Sequence, residues 1–437
     1  MKKIITMAVS AIALSFVANQ SLAAGWHLSE YSTTSMGRSF AGQGVVGDDY
    51  SSLAFNPAGM QYNDKSGVQA GASVVSLHFD YKGSIETLGS VDANGMPHSG
   101  NRTGRGHTRP SRVLPHVFAQ QKINDKTTLG LGVYVPYGLA TDYENDWFAQ
   151  SHAGISQLSA TNVSPALSYQ VTDMVALGAA LNIQYITARL GGSIESNGLY
   201  FDTGANDLRG DDYGVGYTLG ATITPRKDIR LGVSFRSKIS HELEGDLKIS
   251  GMPAQTYVPG RGFIPTGALN GKEDIKAKVI TPEVFVLSGA YDLNKCFTLS
   301  GTAKWTRWSR FKNLDIIRKA DGSAVSQTHE NWKNTWFYSL GLDYRYNRNW
   351  AFRTGIAYDE TVIKSAEYRT ARIPDGRRIL TSLGASYKIN NWQFDAGYTH
   401  IFVHGGTAHG EATGTSEANL KYSADADMFS LGFQYKF

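Results

Sequence analysis

Apolar side chains recur at every second position through much of this chain, in strand-length runs separated by polar segments. The last run is Phe429, Leu431, Phe433, Tyr435 and Phe437, alternating with Ser430, Gly432, Gln434 and Lys436. Strand side chains point alternately to opposite faces, so this segment is apolar on one face and polar on the other. Phe297, Leu299, Ala303 and Trp305 alternate in the same way with Thr298, Ser300, Thr302 and Lys304. Trp336, Tyr338, Leu340, Leu342, Tyr344 and Tyr346 are set against Ser339, Asp343 and Arg345, and Trp350, Phe352, Ile356 and Tyr358 against Arg353 and Asp359. No helical pattern offers a core to receive these apolar faces, which leaves lipid. Tyr and Trp fall near the ends of the runs, where a membrane barrel carries its aromatic girdles. The earlier runs alternate less cleanly. Val74-Val75 and Ala179-Ala180-Leu181 read either as a shifted register or as a lumen that is partly greasy, which a pore for ions or sugars would not want.

Short turn signals stand at Asn124-Asp125-Lys126, Thr172-Asp173, Pro225-Arg226-Lys227-Asp228, Leu293-Asn294-Lys295, Asn347-Arg348-Asn349 and Asn390-Asn391. They alternate with long polar stretches near 83–111, 138–157, 190–212, 246–274, 309–331, 361–376 and 405–420, so six tight turns and seven long loops delimit fourteen strands. An even count puts both ends of the barrel on the side of the tight turns, the arrangement of bacterial outer-membrane barrels. The predicted fold is therefore all-β: a 14-stranded antiparallel transmembrane β-barrel over residues 66–437, in the bacterial outer membrane and in contact with its lipid and lipopolysaccharide. The terminal aromatic Phe437 is a feature that the barrel assembly machinery reads in such proteins.

Composition agrees. The 437 residues include 47 Gly, 23 Tyr, 19 Phe and 8 Trp but only 12 Pro, and mean hydropathy is slightly negative, as when a polar lumen cancels a lipid-facing surface. A net charge of +4 with no run of like charges offers no nucleic-acid surface. Lys2 and Lys3, an apolar stretch from Ile4 to Val17, and Ser21-Leu22-Ala23 predict a cleaved secretory signal over residues 1–23. Cys296 is the single cysteine, so no intrachain disulfide can staple the fold.

Residues 24–65 carry no strand-length alternation but many small residues, and a barrel of this size encloses a cavity. A hatch folded into the lumen is the predicted use of this segment. Its sequence includes Ala24-Gly25-Trp26-His27-Leu28-Ser29-Glu30-Tyr31-Ser32, Ser35-Met36-Gly37-Arg38-Ser39-Phe40-Ala41-Gly42, Asp48-Asp49 and Asn56-Pro57-Ala58. Further on stand Tyr137-Gly138-Leu139-Ala140-Thr141, Trp305-Thr306-Arg307-Trp308-Ser309, Phe352-Arg353-Thr354-Gly355-Ile356-Ala357-Tyr358-Asp359 and Ile373-Pro374-Asp375. In these blocks the chain resembles the FadL/TodX family of outer-membrane transporters for long-chain fatty acids and other hydrophobic compounds. The likeness spans the mature chain and is weakest in the long loops.

The resemblance implies a monomeric fourteen-stranded barrel closed by an N-terminal hatch. It implies passive transport in which ligand lands on an apolar groove between the third and fourth outer loops and moves to an internal pocket. The ligand then leaves sideways at a kink in the third strand once the hatch rearranges. The third and fourth loops here carry Leu199, Phe201, Tyr257 and Phe263, an apolar load suited to such a groove. A fatty acid also brings a carboxylate, which needs a cation when buried. Arg189 matches a basic family position, and Lys312 and Arg318 are further candidates, whereas a neutral hydrocarbon needs none. Pro136 and Gly138 mark the kink, since Pro removes a ladder donor and Gly weakens pairing. In the hatch, Asn56, Pro57 and Ala58 match a family motif, and Arg38, Asp48 and Asp49 are expected to anchor to lumen charges such as Arg345 and Arg353.

No cofactor and no metal is expected. His400, His404 and His409 lie roughly 13 Å apart per four strand residues, too far along one strand to share an ion. A barrel phospholipase would need a Ser and a His with an orienting partner, and His241 and His400 have no compelling one, so no enzyme is read here. A general porin is the other alternative, which the hatch argues against.

Overall fold

The computed structural model describes residues 25–91, 97–143, 147–196, 199–258, 262–413 and 416–437. The strands are β1 (Gly67–Val91), β2 (Pro97–Thr108 continued by Ser111–Lys122), β3 (Thr127–Asp142), β4 (Ile155–Gln170) and β5 (Val175–Ser196). Next come β6 (Leu199–Arg226), β7 (Ile229–Arg236 continued by Ile239–Ser250) and β8 (Gly271–Thr281 continued by Val284–Asp292). The last six are β9 (Phe297–Thr306), β10 (Thr335–Arg345), β11 (Trp350–Asp359), β12 (Arg377–Ile389), β13 (Trp392–His404) and β14 (Ser416–Lys436). Each pairs antiparallel with its sequence neighbours, and β14 returns to β1 from Gly67↔Lys436 to Thr87↔Ser416, closing a fourteen-stranded barrel. Closure leaves no sheet edge for lipid to solvate, which the membrane demands.

The alternation read from the sequence holds. In β14, Phe429, Leu431 and Phe433 are exposed on the outside while Ser430 and Gln434 between them are buried inside. Several tight turns are built the same way. Asn124 Oδ1 accepts from Lys126 N and Thr127 N, Asn294 Oδ1 from Cys296 N and Phe297 N, and Asn347 Oδ1 from Asn349 N and Trp350 N. An Asn side chain standing in for a backbone acceptor is what fixes such a turn.

Several of the expected long loops are instead ladder: within 405–420, Thr407–Thr413 pairs with residues 416–421, and within 309–331, Asn313–Arg318 pairs with Ala324–His329. β1 and β2 pair from Phe79↔Thr108 out to Val91↔Pro97, and β5 and β6 pair through Arg189↔Arg209 to Ser196↔Leu199. A membrane needs only about ten residues per strand. Above that height water wets both faces, so the ladder persists without the apolar alternation that would reveal it.

The lumen is layered. On β1 the inward residues change from Gln69 and Ser73 to Val75, Leu77, Phe79 and Tyr81 going outward; on β14 they change from Gln434 and Ser430 to Met428, Ala426 and Tyr422. These apolar residues join Leu114, Val135, Leu380 and Ile401 in one buried cluster. At the β1–β14 seam the periplasmic part of the inner wall is thus polar and the outer part greasy, and Val75 faces in, as the greasy-lumen reading of Val74-Val75 has it; on the β2–β5 side an apolar cluster around Leu53, Phe55, Met60 and Phe118 reaches the periplasmic part as well.

Candidate functional site

Residues 25–62 run through the lumen and touch inward side chains nearly all around it. Ser32 caps the short helix α1 (Thr33–Met36), its hydroxyl accepting from Ser35 N. Asp49 gathers the Ser32, Thr34 and Ser51 hydroxyls at 2.5, 2.6 and 2.7 Å, which folds the segment on itself. Thr33 Oγ1 meets Ser430 Oγ at 2.7 Å and Ser39 Oγ meets Ser382 Oγ at 2.7 Å. A Cβ on Gly37 would sit 2.8 Å from Gly384 Cα, so glycine lets the helix backbone lie directly on β12.

Charge fixes the centre of this segment. Arg38 Nη2 reaches Asp48 Oδ1 at 2.8 Å and its Nη1 reaches Asp343 Oδ1 at 3.0 Å; Arg353 reaches Asp48 Oδ2 and Asp343 Oδ1, each at 3.0 Å. Two cations and two anions alternate in a closed square, with both guanidiniums almost wholly buried. Burial pushes the Asp48 carboxyl up, but Arg38 and Arg353 outweigh it and hold the group well below the usual carboxylate range. Arg345 takes no part; it faces Asp292 at 3.5 Å and the Lys295 carbonyl at 3.0 Å.

A second helix, α2 (Ser52–Phe55), leads to Asn56. Asn56 Oδ1 accepts from Ala58 N at 3.1 Å while its Nδ2 donates to Ala221 O and Val233 O, at 3.1 and 3.3 Å. Pro57 starts the 3-10 turn Pro57–Tyr62, where a missing N–H costs nothing, and Ala58 O accepts from Ser168 Oγ at 3.3 Å.

The barrel wall has one interruption tied to this segment. The β2–β3 ladder stops at Val117↔Val133, whereas β3 continues along β4 with a register shift between Tyr134 and Tyr137. The edge of β3 that β2 leaves is taken by the N-terminal segment: His27 bridges Tyr137, Leu28 N donates to Pro136 O and Gly138 N donates to Trp26 O, both at 2.8 Å. Pro136 has no N–H to offer, so its carbonyl and the Gly138 N–H are the groups that need partners at this edge. Thr108 Oγ1 donates to Asp142 O at 2.8 Å, rejoining the two strands above the gap. Nearby, burial and then Lys304 and Arg236 push the His27 imidazole well below its ordinary pKa, so its neutral Nδ1 accepts from Lys304 Nζ at 3.2 Å.

Above Trp26 lies an apolar cavity with about 810 Å³ of unfilled space, its mouth included. Leu139, Leu158, Ala188 and Leu190 wall one side, Leu243, Ile275 and Val279 another, and Phe311, Ile316 and Ile373 close it from the outer loops. Trp26 packs against Trp308, Phe311 and Tyr137, with ring centroids 5.5, 5.7 and 6.0 Å away. Polar groups in the wall are few: Ser156, Gln157, Arg209, Lys276, Glu330 and Arg372. Glu330 accepts from Trp332 Nε1 at 2.9 Å, and Arg372 Nη1 donates to Ser156 Oγ at 3.3 Å.

The cations expected from sequence lie elsewhere. Arg189 sits on the face of β5 opposite to Ala188 and Leu190, paired outside the barrel with Asp207 at 2.8 Å. Lys312 lines an outer depression with Asn313 and Asp315, and Arg318 pairs with Glu273 at 2.9 Å. Arg209 and Lys276 border the cavity through their backbones only: Arg209 stands opposite Arg189 and bonds the same Asp207, and Lys276 pairs with the exposed Glu242. The cation whose side chain reaches the cavity wall is Arg372, at Ser156. Arg372 precedes the Ile373-Pro374-Asp375 block, which was the signal that could have found it. Leu199 lies in β6, and Tyr257 pairs with Phe263 in a small loop hairpin, Gln255–Val258 with Gly262–Pro265; the side chains of Leu199, Phe201, Tyr257 and Phe263 lie outside the described residues.

Comparison with known proteins places this architecture. The family model of the outer membrane protein transport protein (OMPP1/FadL/TodX) matches residues 14–437. An outer membrane protein of Neisseria meningitidis serogroup B is 29% identical over 461 residues, covering 97% of this chain and 96% of its own. A long-chain fatty acid transport protein of Escherichia coli is 26% identical over 460 residues, covering 100% and 99%. Among solved structures, a Pseudomonas aeruginosa FadL homologue superposes with a TM-score of 0.82 at 24% identity, covering 95% of this chain and 100% of that one. The Pseudomonas putida toluene transporter TodX does so with 0.70 at 18%, covering 93% and 98%.

Proposed function

The chain belongs to the OMPP1/FadL/TodX family of outer-membrane transport proteins, and from that premise we propose that it carries long-chain fatty acids, or related hydrophobic molecules, passively across the outer membrane. Cargo lands on the apolar outer loops around Leu199, Phe201, Tyr257 and Phe263 and enters the cavity above Trp26. Residues 24–65 act as the hatch: their movement frees the β3 edge at Pro136 and Gly138 and opens a sideways exit between β2 and β3. The observation that carries this reading is the joint one of an apolar cavity floored by Trp26 and a wall gap filled by Trp26, His27 and Leu28. One residue run serves both, so filling the cavity and opening the wall are mechanically linked.

Arg372 supplies the cation for a fatty-acid carboxylate. Glu330 in the same wall favours the second reading, a neutral hydrocarbon, because its carboxylate repels an anionic head group. Competition between palmitate and toluene for the purified barrel separates the two.

A lock tests the exit. The hydrogen bonds flanking His27 and Tyr137 make them a non-hydrogen-bonded antiparallel pair, whose Cα atoms lie about 4.5 Å apart and accept a disulfide. His27→Cys with Tyr137→Cys is expected to stop uptake in cells when oxidised and to restore it on reduction, with cargo binding retained throughout. Undiminished uptake by the oxidised form refutes the sideways route.

A further inference from the structure

Where β14 closes against β1, three potential metal ligands converge on the outer face of the wall. His78 of β1 stands directly opposite Asp425 of β14, and His400 of β13 stands directly opposite Asp427. His78 Nδ1 lies 2.8 Å from Asp425 Oδ1 and 3.8 Å from Asp427 Oδ2, and one ligand atom from each of the three residues falls within 4.8 Å of the others. Spacing along a single strand excludes a shared ion for the histidines of β13; the register across three strands brings one imidazole and two carboxylates together.

Two features make this more than a pair of surface ion pairs. Asp425 and Asp427 share a face with Phe429, Leu431 and Phe433, the lipid-facing row. Ten residues separate Asp427 from Phe437; at about 3.3 Å per residue and about 40° of tilt that is roughly 25 Å of height, the full span of an apolar band. The two carboxylates therefore sit side by side at the outer edge of the lipid belt, where uncompensated charge is costly. Among the described residues their ion-pair partners are histidines and not Lys or Arg. The second feature is the support around Asp427, whose Oδ1 accepts from Tyr398 OH at 2.6 Å and lies 2.9 Å from His400 Nδ1. Outer partners of this kind orient a ligating carboxylate in metal sites.

We propose that His78, Asp425 and Asp427 bind a divalent transition cation, of the zinc class, that clips β1 to β14 at the closing seam of the barrel. Borderline metals take mixed imidazole and carboxylate ligands at about 2.0–2.2 Å, whereas calcium and magnesium take oxygen alone. Binding replaces the ring proton between His78 and Asp425 with the metal, leaving neutral imidazole and two carboxylates around it, with a further position open to water or to an anionic head-group oxygen. His400 and Tyr398 position Asp427 and do not touch the ion. Because β1 and β14 are the first and last strands, such a clip acts where no turn joins the chain.

The test uses the untagged full barrel in detergent micelles, stripped with EDTA and titrated with zinc alone. One saturable site per barrel is expected, together with a higher melting temperature than in EDTA, and cobalt in its place gives visible d–d absorption. His78→Ala and Asp425→Asn each abolish the site, and His400→Ala weakens it about 10–100-fold. Heat-modifiable gel mobility reports that each variant is folded; if His78→Ala fails to fold, Asp425→Asn carries the test. Absence of saturable zinc binding, binding unaltered in a folded His78 or Asp425 variant, or equal binding of calcium or magnesium overturns the proposal.

Discussion

Asp48→Asn isolates what holds the N-terminal segment in place. Asp48 accepts four hydrogen bonds, two from Arg38 and two from Arg353, and both arginine side chains are 4% exposed. Removing its charge leaves two buried guanidiniums sharing Asp343 alone. Breaking a buried pair in this way costs about 3–5 kcal/mol, roughly a 150- to 4,000-fold shift against the seated segment at about 1.4 kcal/mol per decade. The β1–β14 ladder is separate from these contacts, so the barrel stays closed while its plug loosens. In planar bilayers the variant is expected to show bursts of conductance that the native protein lacks. Adding Arg38→Met restores a one-to-one balance between Arg353 and Asp343 and quiets them, which a double-mutant cycle reads as coupling. A folded Asp48→Asn barrel with native conductance and native amide protection over residues 25–62 refutes the reasoning. The pH dependence follows from the same square. A carboxylate whose folded pKa lies below its unfolded value stabilises fully above about pH 4 and loses that contribution only as pH falls through the depressed folded value. Seating is therefore expected to be flat across neutral and mildly acidic pH.

His152, in the loop after β3, behaves differently. Burial, and then Arg372, lower its pKa to about 4, so the unfolded loop binds the extra proton between about pH 6.5 and 4; loop stability is complete above that window and falls by up to about 3 kcal/mol through it. Hydrogen exchange in residues 147–155 should rise between pH 7 and 5, and His152→Gln should remove the dependence. Arg372→Met should weaken palmitate binding by about 10- to 100-fold, the worth of a charge-assisted bond, and leave a neutral hydrocarbon unaffected; equal effects on both would exclude Arg372 as the carboxylate partner. Ala188→Trp fills the cavity from β5, so binding of either cargo measured by fluorescence competition should drop at least tenfold while the barrel keeps its heat-modifiable mobility.

The strands were legible wherever one face met lipid and the other water. The outer extensions of β1, β2, β5 and β6 were not, because water on both sides removes the alternation while leaving the hydrogen-bond ladder intact. The same reason misplaced Arg189. Its position at the outer end of β5 was readable, but whether it pointed in or out hung on register, and a one-residue step flips every side chain. The N-terminal segment gave up its charged residues but not their pairings. Arg38, Asp48, Asp343 and Arg353 come from three distant stretches, and only the lumen brings them together. Arg345 and Arg353 look alike in sequence, yet one faces the end of the barrel and the other its interior.

The layered lumen bears on why hydrophobic cargo would leave sideways. Toward the periplasm along β1 and β10–β14, an apolar molecule meets Ser73, Ser382, Ser386, Gln393 and Gln434 around the Arg38–Asp48–Asp343–Arg353 square, all buried and polar apart from the part-exposed Asp48. Each methylene brought from the greasy layer into that polar one forfeits about 0.8 kcal/mol. Sideways, the wall beside the gap is apolar, with Val113 exposed to lipid and Leu114 and Val135 buried behind it. What bars the way there includes the backbone bonds from Leu28 N to Pro136 O and from Gly138 N to Trp26 O and the buried side chains of Trp26 and Leu28. At about 0.5–1.5 kcal/mol net each, both bonds together equal the burial of roughly one to four methylenes. Unseating Trp26 and Leu28 adds about 1.5–3 kcal/mol for each buried side chain, so the longer the chain pressed against the vacated β3 edge, the more of this cost its own burial offsets. A single aromatic ring displaces it less completely, which predicts that oxidising the His27→Cys, Tyr137→Cys lock slows long-chain uptake more than uptake of a small hydrocarbon.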